Sequence, residues 1–93
     1  MADTAIRFTA RGKVQGVFFR KHAVAKATEQ SQRGWVRNAP DGSVEGEAAG
    51  SATGVASFQA WLSRGSPRAR VDSLSVVAFD AALVGEPGFG VRA

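Results

Sequence analysis

Apolar and polar side chains alternate near the start of the chain, with Ile6, Phe8 and Ala10 on one parity and Arg7, Thr9 and Arg11 on the other. A period of two is the pattern of a strand that buries one face. Two glycines within residues 12–16 break the alternation. From Phe18 or Phe19 to about Gln32 no proline or glycine intervenes, and Phe19, Ala23 and Ala27 recur at the spacing of one helical face. That stretch is predicted to be a helix. Residues 35–38 predict a second strand, and Pro40-Asp41-Gly42 a turn, because proline presets φ and glycine accepts positive φ. Residues 43–48 then return as the other arm of a hairpin, with Val44, Gly46 and Ala48 opposite in parity to Glu45 and Glu47.

Ser51 or Thr53 can cap a second helix, in which Val55, Phe58 and Leu62 share one stripe with Trp61 beside them. Gly65 stops it and Pro67 prevents its continuation. Residues 70–80 predict a long strand on the alternation of Leu74, Val76 and Ala78; residues 81–87 read as a loop and 89–92 as a short last strand. No repeat, linker or low-complexity segment is visible. The predicted order is β-α-β-β-α-β with a short terminal strand added. Two helices on one face of an antiparallel sheet in that order make an α+β, ferredoxin-like split βαβ sandwich. That fold hosts many functions and selects none of them.

The 93 residues leave room for one core, so residues 1–93 are expected to be a single domain. Apolar residues make up 44% and charged residues 22%, a globular balance that argues against disorder. With no cysteine, disulfides, thiolate-bound zinc and cysteine nucleophiles are all excluded. The net charge of +4 favours anionic partners, but the basic residues are scattered, with no block that would mark a nucleic-acid tail. Neither a leader pattern at Met1-Ala2-Asp3-Thr4 nor an apolar run of membrane-spanning length occurs, so a cytoplasmic protein is expected.

Between the first strand and the first helix lies Gly12-Lys13-Val14-Gln15-Gly16-Val17-Phe18-Phe19-Arg20. A strand-loop-helix junction converges unpaired N–H groups on one point, and the helix dipole adds positive potential there. Gly16 permits a tight anion-binding curl, and Arg20 can present two parallel donors to a tetrahedral oxyanion. Phosphate, sulfate or carboxylate would all fit, and a surface arginine beside an ordinary turn is an equally economical reading of the loop alone.

The loop has company. Gly12-x-Val14-Gln15-Gly16-Val17-x-Phe19-Arg20 resembles the first signature of the acylphosphatases, and Gly34-Trp35-Val36-Arg37-Asn38-x-x-x-Gly42-x-Val44-x5-Gly50 the second. Gly65-Ser66-Pro67-x-Ala69-Arg70-Val71-Asp72 and the tail Phe89-x-Val91-Arg92 are also similar to this family. The resemblance spans nearly the whole chain, in order and without a large insertion. It implies a ferredoxin-like fold and hydrolysis of acyl phosphates by a monomer without metal or other cofactor. It also implies a phosphate loop at Gln15, Gly16, Val17, Phe18, Phe19 and Arg20, with Arg20 and Asn38 catalytic. Inorganic phosphate would be both product and inhibitor.

The residue types suit that chemistry. A carboxylate leaves readily, so the loose transition state of phosphoryl transfer requires mainly positioning and charge neutralisation. A guanidinium and several amides supply both, and the Asn38 side chain can accept from and donate to a water. No cluster of His, Asp, Glu or Cys suggests a metal centre.

His22, the only histidine, is expected on the helix surface, and Trp35 and Trp61 are expected to pack rather than to stack bases. Gly88-Phe89-Gly90-Val91-Arg92 superficially matches the RNA-recognition octapeptide but stands at the terminus rather than on a third strand. The alternatives are a basic binding module without hydrolysis, or an acylphosphatase-like domain of a carbamoyl-phosphate-processing hydrogenase maturation protein. The chain departs from the family at Gln30-Ser31-Gln32, where apolar-Gly-apolar is common, and at Ala93, where many relatives end on an aromatic. The first departure predicts a loss of burial and of a helix-ending glycine, at the expense of stability rather than catalysis.

Overall fold

In the computed structural model, which describes residues 3–85 and 87–92, β1 (Thr4–Lys13) is an interior strand of a five-stranded sheet. It pairs antiparallel with β3 (Val44–Gly50) on one side and β4 (Arg70–Phe79) on the other. β2 (Arg33–Asn38) continues the antiparallel pattern beside β3, and β5 (Phe89–Val91) adds on parallel to β2. The order β4-β1-β3-β2-β5 is the predicted ferredoxin-like sheet with its terminal strand attached at the β2 edge. The parallel direction of β5 makes the whole sheet mixed.

Helices α1 (Phe19–Glu29) and α2 (Ala52–Leu62) cover one face. Ile6, Phe8, Ala10, Val36, Val44 and Ala48 share a parity across three strands and join Phe19, Ala23, Ala27, Val55, Phe58 and Leu62 of the helices in one buried cluster. Phe58 organises its centre, with ring centroids 5.7 Å from Phe8 and 5.5 Å from Phe89. Burying each such ring contributes about 1.5–3 kcal/mol.

Several element ends move relative to the sequence reading. β1 extends to Lys13 through an irregularity at Arg11/Gly12, and β2 begins at Arg33. α2 is capped by Ser51, whose Oγ accepts from the Gly54 N–H at 3.1 Å. The 81–87 loop contains a 3₁₀ turn at Ala81–Leu83, capped by Asp80; Glu86 of that loop lies outside the described residues, as do Met1, Ala2 and Ala93.

Helix α1 ends earlier than the pattern predicts, at Glu29. The Gln32 N–H reaches the Ala27 carbonyl at 2.8 Å and the Ser31 N–H reaches Thr28 at 3.0 Å. This is the Schellman arrangement, which places its turning residue in the left-handed region. Ser31 occupies that position with φ 54° where glycine would be unstrained. Gln32 is buried, its amide donating to the Gln30 carbonyl while Oε1 has no partner.

Candidate active site

The segment between β1 and α1 is anchored by apolar side chains and opened by polar backbone. Val14, Val17 and Phe19 are buried, whereas Gly16 and Phe18 between them are exposed. Gly16 has φ 74° and Phe18 has φ 61°, and such left-handed residues turn neighbouring N–H groups toward a common concavity. Among the described residues, the backbone N–H groups of residues 15–21 donate to no protein acceptor, and Phe18 gives α1 no side-chain cap. The unpaired donors of the helix start therefore add to those of the loop. A Cβ added to Gly16 would meet no atom within 4 Å, so glycine is required there by the backbone angle rather than by crowding.

Two side chains fix the segment from outside. Gln15 Nε2 donates to the Ala39 carbonyl at 2.9 Å and the Ser43 carbonyl at 3.0 Å, tying the loop to the β2–β3 hairpin. Buried Ser66 donates its hydroxyl to the Val17 carbonyl at 2.7 Å from the connection between α2 and β4. The hairpin is itself braced: the Ser43 hydroxyl and N–H both donate to Asp41 Oδ1, at 2.6 and 2.9 Å. Those two bonds, and more weakly the Arg11 charge, hold the Asp41 carboxyl below its ordinary pKa.

Asn38 is the last residue of β2 and pairs with Val44, on the parity of Val36 that faces the helices. Its Oδ1 is buried without a hydrogen-bond partner. An unmet acceptor of this kind costs about 1–3 kcal/mol in a folded protein unless something supplies a donor. Gly16, Arg20 and Asn38 line a single cleft of about 560 Å³, with Lys21 also on its wall. Neither Arg20 nor Lys21 has a carboxylate partner among the described residues, so the cleft is net positive. Among the described residues, no Asp, Glu or His lines it.

The sequence-predicted residues thus fall into two groups. Gly16, Phe18, Phe19, Arg20 and Asn38 line the cleft, whereas the Gln15 amide is engaged with the hairpin and the Val17 side chain is buried. Only the backbone of Val17 and Gln15 is left to offer a donor there. Ser66, Lys21 and Val91 were not singled out as site residues: the Ser66 contact spans 49 positions, and Val91 reaches the cleft only because β5 docks beside β2. His22 is exposed, as expected, with Nδ1 2.9 Å from the Phe18 carbonyl. Trp61 packs on Phe19, centroids 5.2 Å apart. Trp35 lies on the helix-free face with Arg92 and Arg37 at 4.4 and 5.3 Å from its ring and its Nε1–H donated to Glu47, so it is not a vacant stacking surface.

Among the described residues, no group of three or more His, Cys, Asp or Glu could hold a metal ion, and no helix is long and apolar enough to cross a membrane. Fold and cleft together define a ferredoxin-like α+β sandwich with a positively charged cleft of unpaired N–H groups at the start of its first helix. The Acylphosphatase family model matches residues 6–89. An acylphosphatase of Rhizorhabdus wittichii is 53% identical over 72 residues, 77% of this chain and 73% of the relative. Another, from Albidiferax ferrireducens, is 42% identical over 85 residues, 91% and 92% of the two chains. The crystal structure of acylphosphatase from Bacillus subtilis superposes with a TM-score of 0.91 at 33% identity, covering 97% of this chain and 99% of that one. The chain belongs to the acylphosphatase family, whose members are hydrolases acting on acid anhydrides.

Proposed function

We propose that this protein hydrolyses acyl phosphates without a metal ion, using Arg20 and the loop Gln15, Gly16, Val17, Phe18, Phe19 to hold the phosphoryl group and Asn38 to direct water at it. The observation that carries the reading is that Asn38, whose side chain makes no hydrogen bond through Oδ1, lines the same cleft as the free N–H groups and Arg20. The amides and guanidinium neutralise the three non-bridging oxygens, whose charge the loose transition state retains. The Asn38 side-chain amide, on the cleft wall, orients the attacking water and fixes its lone pair toward phosphorus. The new P–O bond forms from water as the bond to the acyl oxygen breaks, and the carboxylate departs with that electron pair. With no carboxylate or imidazole on the cleft wall among the described residues, the phosphoryl oxygens serve as the base for the water proton.

On this reading inorganic phosphate is a product that competes for the loop. Residues 1–93 act as one domain, a monomer in the cytoplasm, and nucleic acid is not a partner. Spectrophotometric assay with benzoyl phosphate tests the proposal: hydrolysis should persist in excess chelator, gain nothing specific from magnesium, and be inhibited competitively by phosphate. Loss of activity in chelator that one divalent ion restores would overturn the metal-free mechanism.

A further inference from the structure

Resting on that reading of the cleft, we propose that Phe18 and Val91 form an apolar rim that receives the acyl group, so that bulky apolar acyl phosphates are preferred to acetyl phosphate. Phe18 is 68% exposed and Val91 52%, and both line the cleft that contains Arg20 and Asn38. Single exposed apolar residues are ordinary on protein surfaces. These two arrive from opposite ends of the chain, one on the loop and one on β5, at the mouth of one cleft. Phe18 also has φ 61°, a region that bulky residues seldom enter and that glycine or asparagine would occupy more easily. Its ring has the Lys21 ammonium 6.0 Å from the centroid and otherwise lies open on the cleft wall. Val14 and Val24 continue the apolar wall inward from the rim. The cleft therefore offers donors and positive charge to one end of a ligand and hydrocarbon to the other. An aromatic acyl phosphate has that division, with its phosphoryl group on the loop and its ring against Phe18 and Val91. Acetyl phosphate is too short to cover the rim.

The experiment compares kcat/KM for benzoyl and acetyl phosphate in the wild type, Phe18→Ala, Phe18→Leu and Val91→Ser. The benzoyl-to-acetyl ratio should exceed one in the wild type and fall about three- to tenfold in Phe18→Ala and in Val91→Ser, the scale of losing part of an apolar pocket. Phe18→Leu should retain most of it. If removing the ring disturbs the loop, both substrates suffer alike in Phe18→Ala, and Val91→Ser, on a different element, decides. A ratio within about twofold of wild type in Val91→Ser and Phe18→Ala overturns the rim while leaving acyl phosphate hydrolysis in place. Hydrolysis of neither substrate by the wild type overturns the cleft reading and the rim with it.

Discussion

The Ser66 hydroxyl donates to the Val17 carbonyl at 2.7 Å, joining the turn after α2 to the middle of the anion loop. With that oxygen drawn inward, the peptide that Val17 shares with Phe18 must direct its N–H the opposite way, out of the core. The Gln15 amide performs the matching task on the other side of Gly16 by gripping Ala39 and Ser43. The loop is thus clamped at two points that flank its most flexible residue.

Ser66→Ala should leave the Val17 carbonyl buried and unpaired, a destabilisation of about 1–3 kcal/mol. The loop should also lose definition, raising the inhibition constant for phosphate and the KM for acyl phosphates. Thermal unfolding and phosphate inhibition measured on one preparation check both effects. Unchanged phosphate affinity would show that the clamp is structural only.

Gly16→Val should weaken phosphate binding far more than it lowers the melting temperature. The strain is local, since L-residues pay about 1–2 kcal/mol to enter the left-handed region, and no neighbour stands within 4 Å to be displaced. Isothermal titration with phosphate, beside a melting curve, distinguishes the two. Normal phosphate affinity in this variant would remove the loop from the site.

Arg20 and Asn38 should separate kinetically. Arg20→Gln should weaken phosphate binding and lower turnover together, by a factor on the order of 10³–10⁵ in rate if the guanidinium stabilises the transferring group. Arg20→Lys should remain poor, because an ammonium lacks the planar fork. Asn38→Ala should lower kcat by about 10²–10³ with phosphate inhibition nearly intact. Circular dichroism must show each variant folded, as Asn38 also pairs with Val44 at the head of the hairpin. Near-normal turnover in folded Asn38→Ala would refute the assignment of water positioning.

The elements were legible where one face is strictly apolar. Ile6, Phe8 and Ala10 announce β1, and Phe19, Ala23 and Ala27 announce α1, because burial alone decides those positions. The end of α1 was not legible, since Ser31 takes a backbone angle that its own chemistry does not favour and the sequence carries no glycine to mark it. Nor does alternation state that β5 runs parallel to β2, a direction set by docking, with the Arg92 N–H on the Val36 carbonyl at 2.9 Å. Within the cleft, Arg20 and Asn38 stood out through the family signatures. The tasks of the Gln15 and Ser66 side chains depend on carbonyls 24 to 49 residues away, which no local pattern encodes.

Replacing Gln30-Ser31-Gln32 by Leu-Gly-Leu should raise stability by about 1–3 kcal/mol with turnover hardly changed. Glycine relieves the left-handed strain at Ser31, and leucine at position 32 removes the unpartnered Oε1 from a buried site. For a domain of this size each kcal/mol corresponds to about 4–8 °C in melting temperature. An unchanged or lower melting temperature would mean that the Gln32 amide bond to the Gln30 carbonyl outweighs both gains.

The interior place of β1, between β3 and β4, has a bearing on biosynthesis. A ribosome releases the N-terminal strand first, yet both its hydrogen-bonding edges await partners, β3 and then β4, that are made later. Until residue 79 has left the exit tunnel, Ile6 and Phe8 have no completed sheet to join, and the loop that follows them lacks the Ser66 clamp. Folding is therefore dominated by distant pairings, which makes it slow for a domain of this size. Until then the strand, apolar on one face and unpaired on both edges, is open to pairing with the wrong partner.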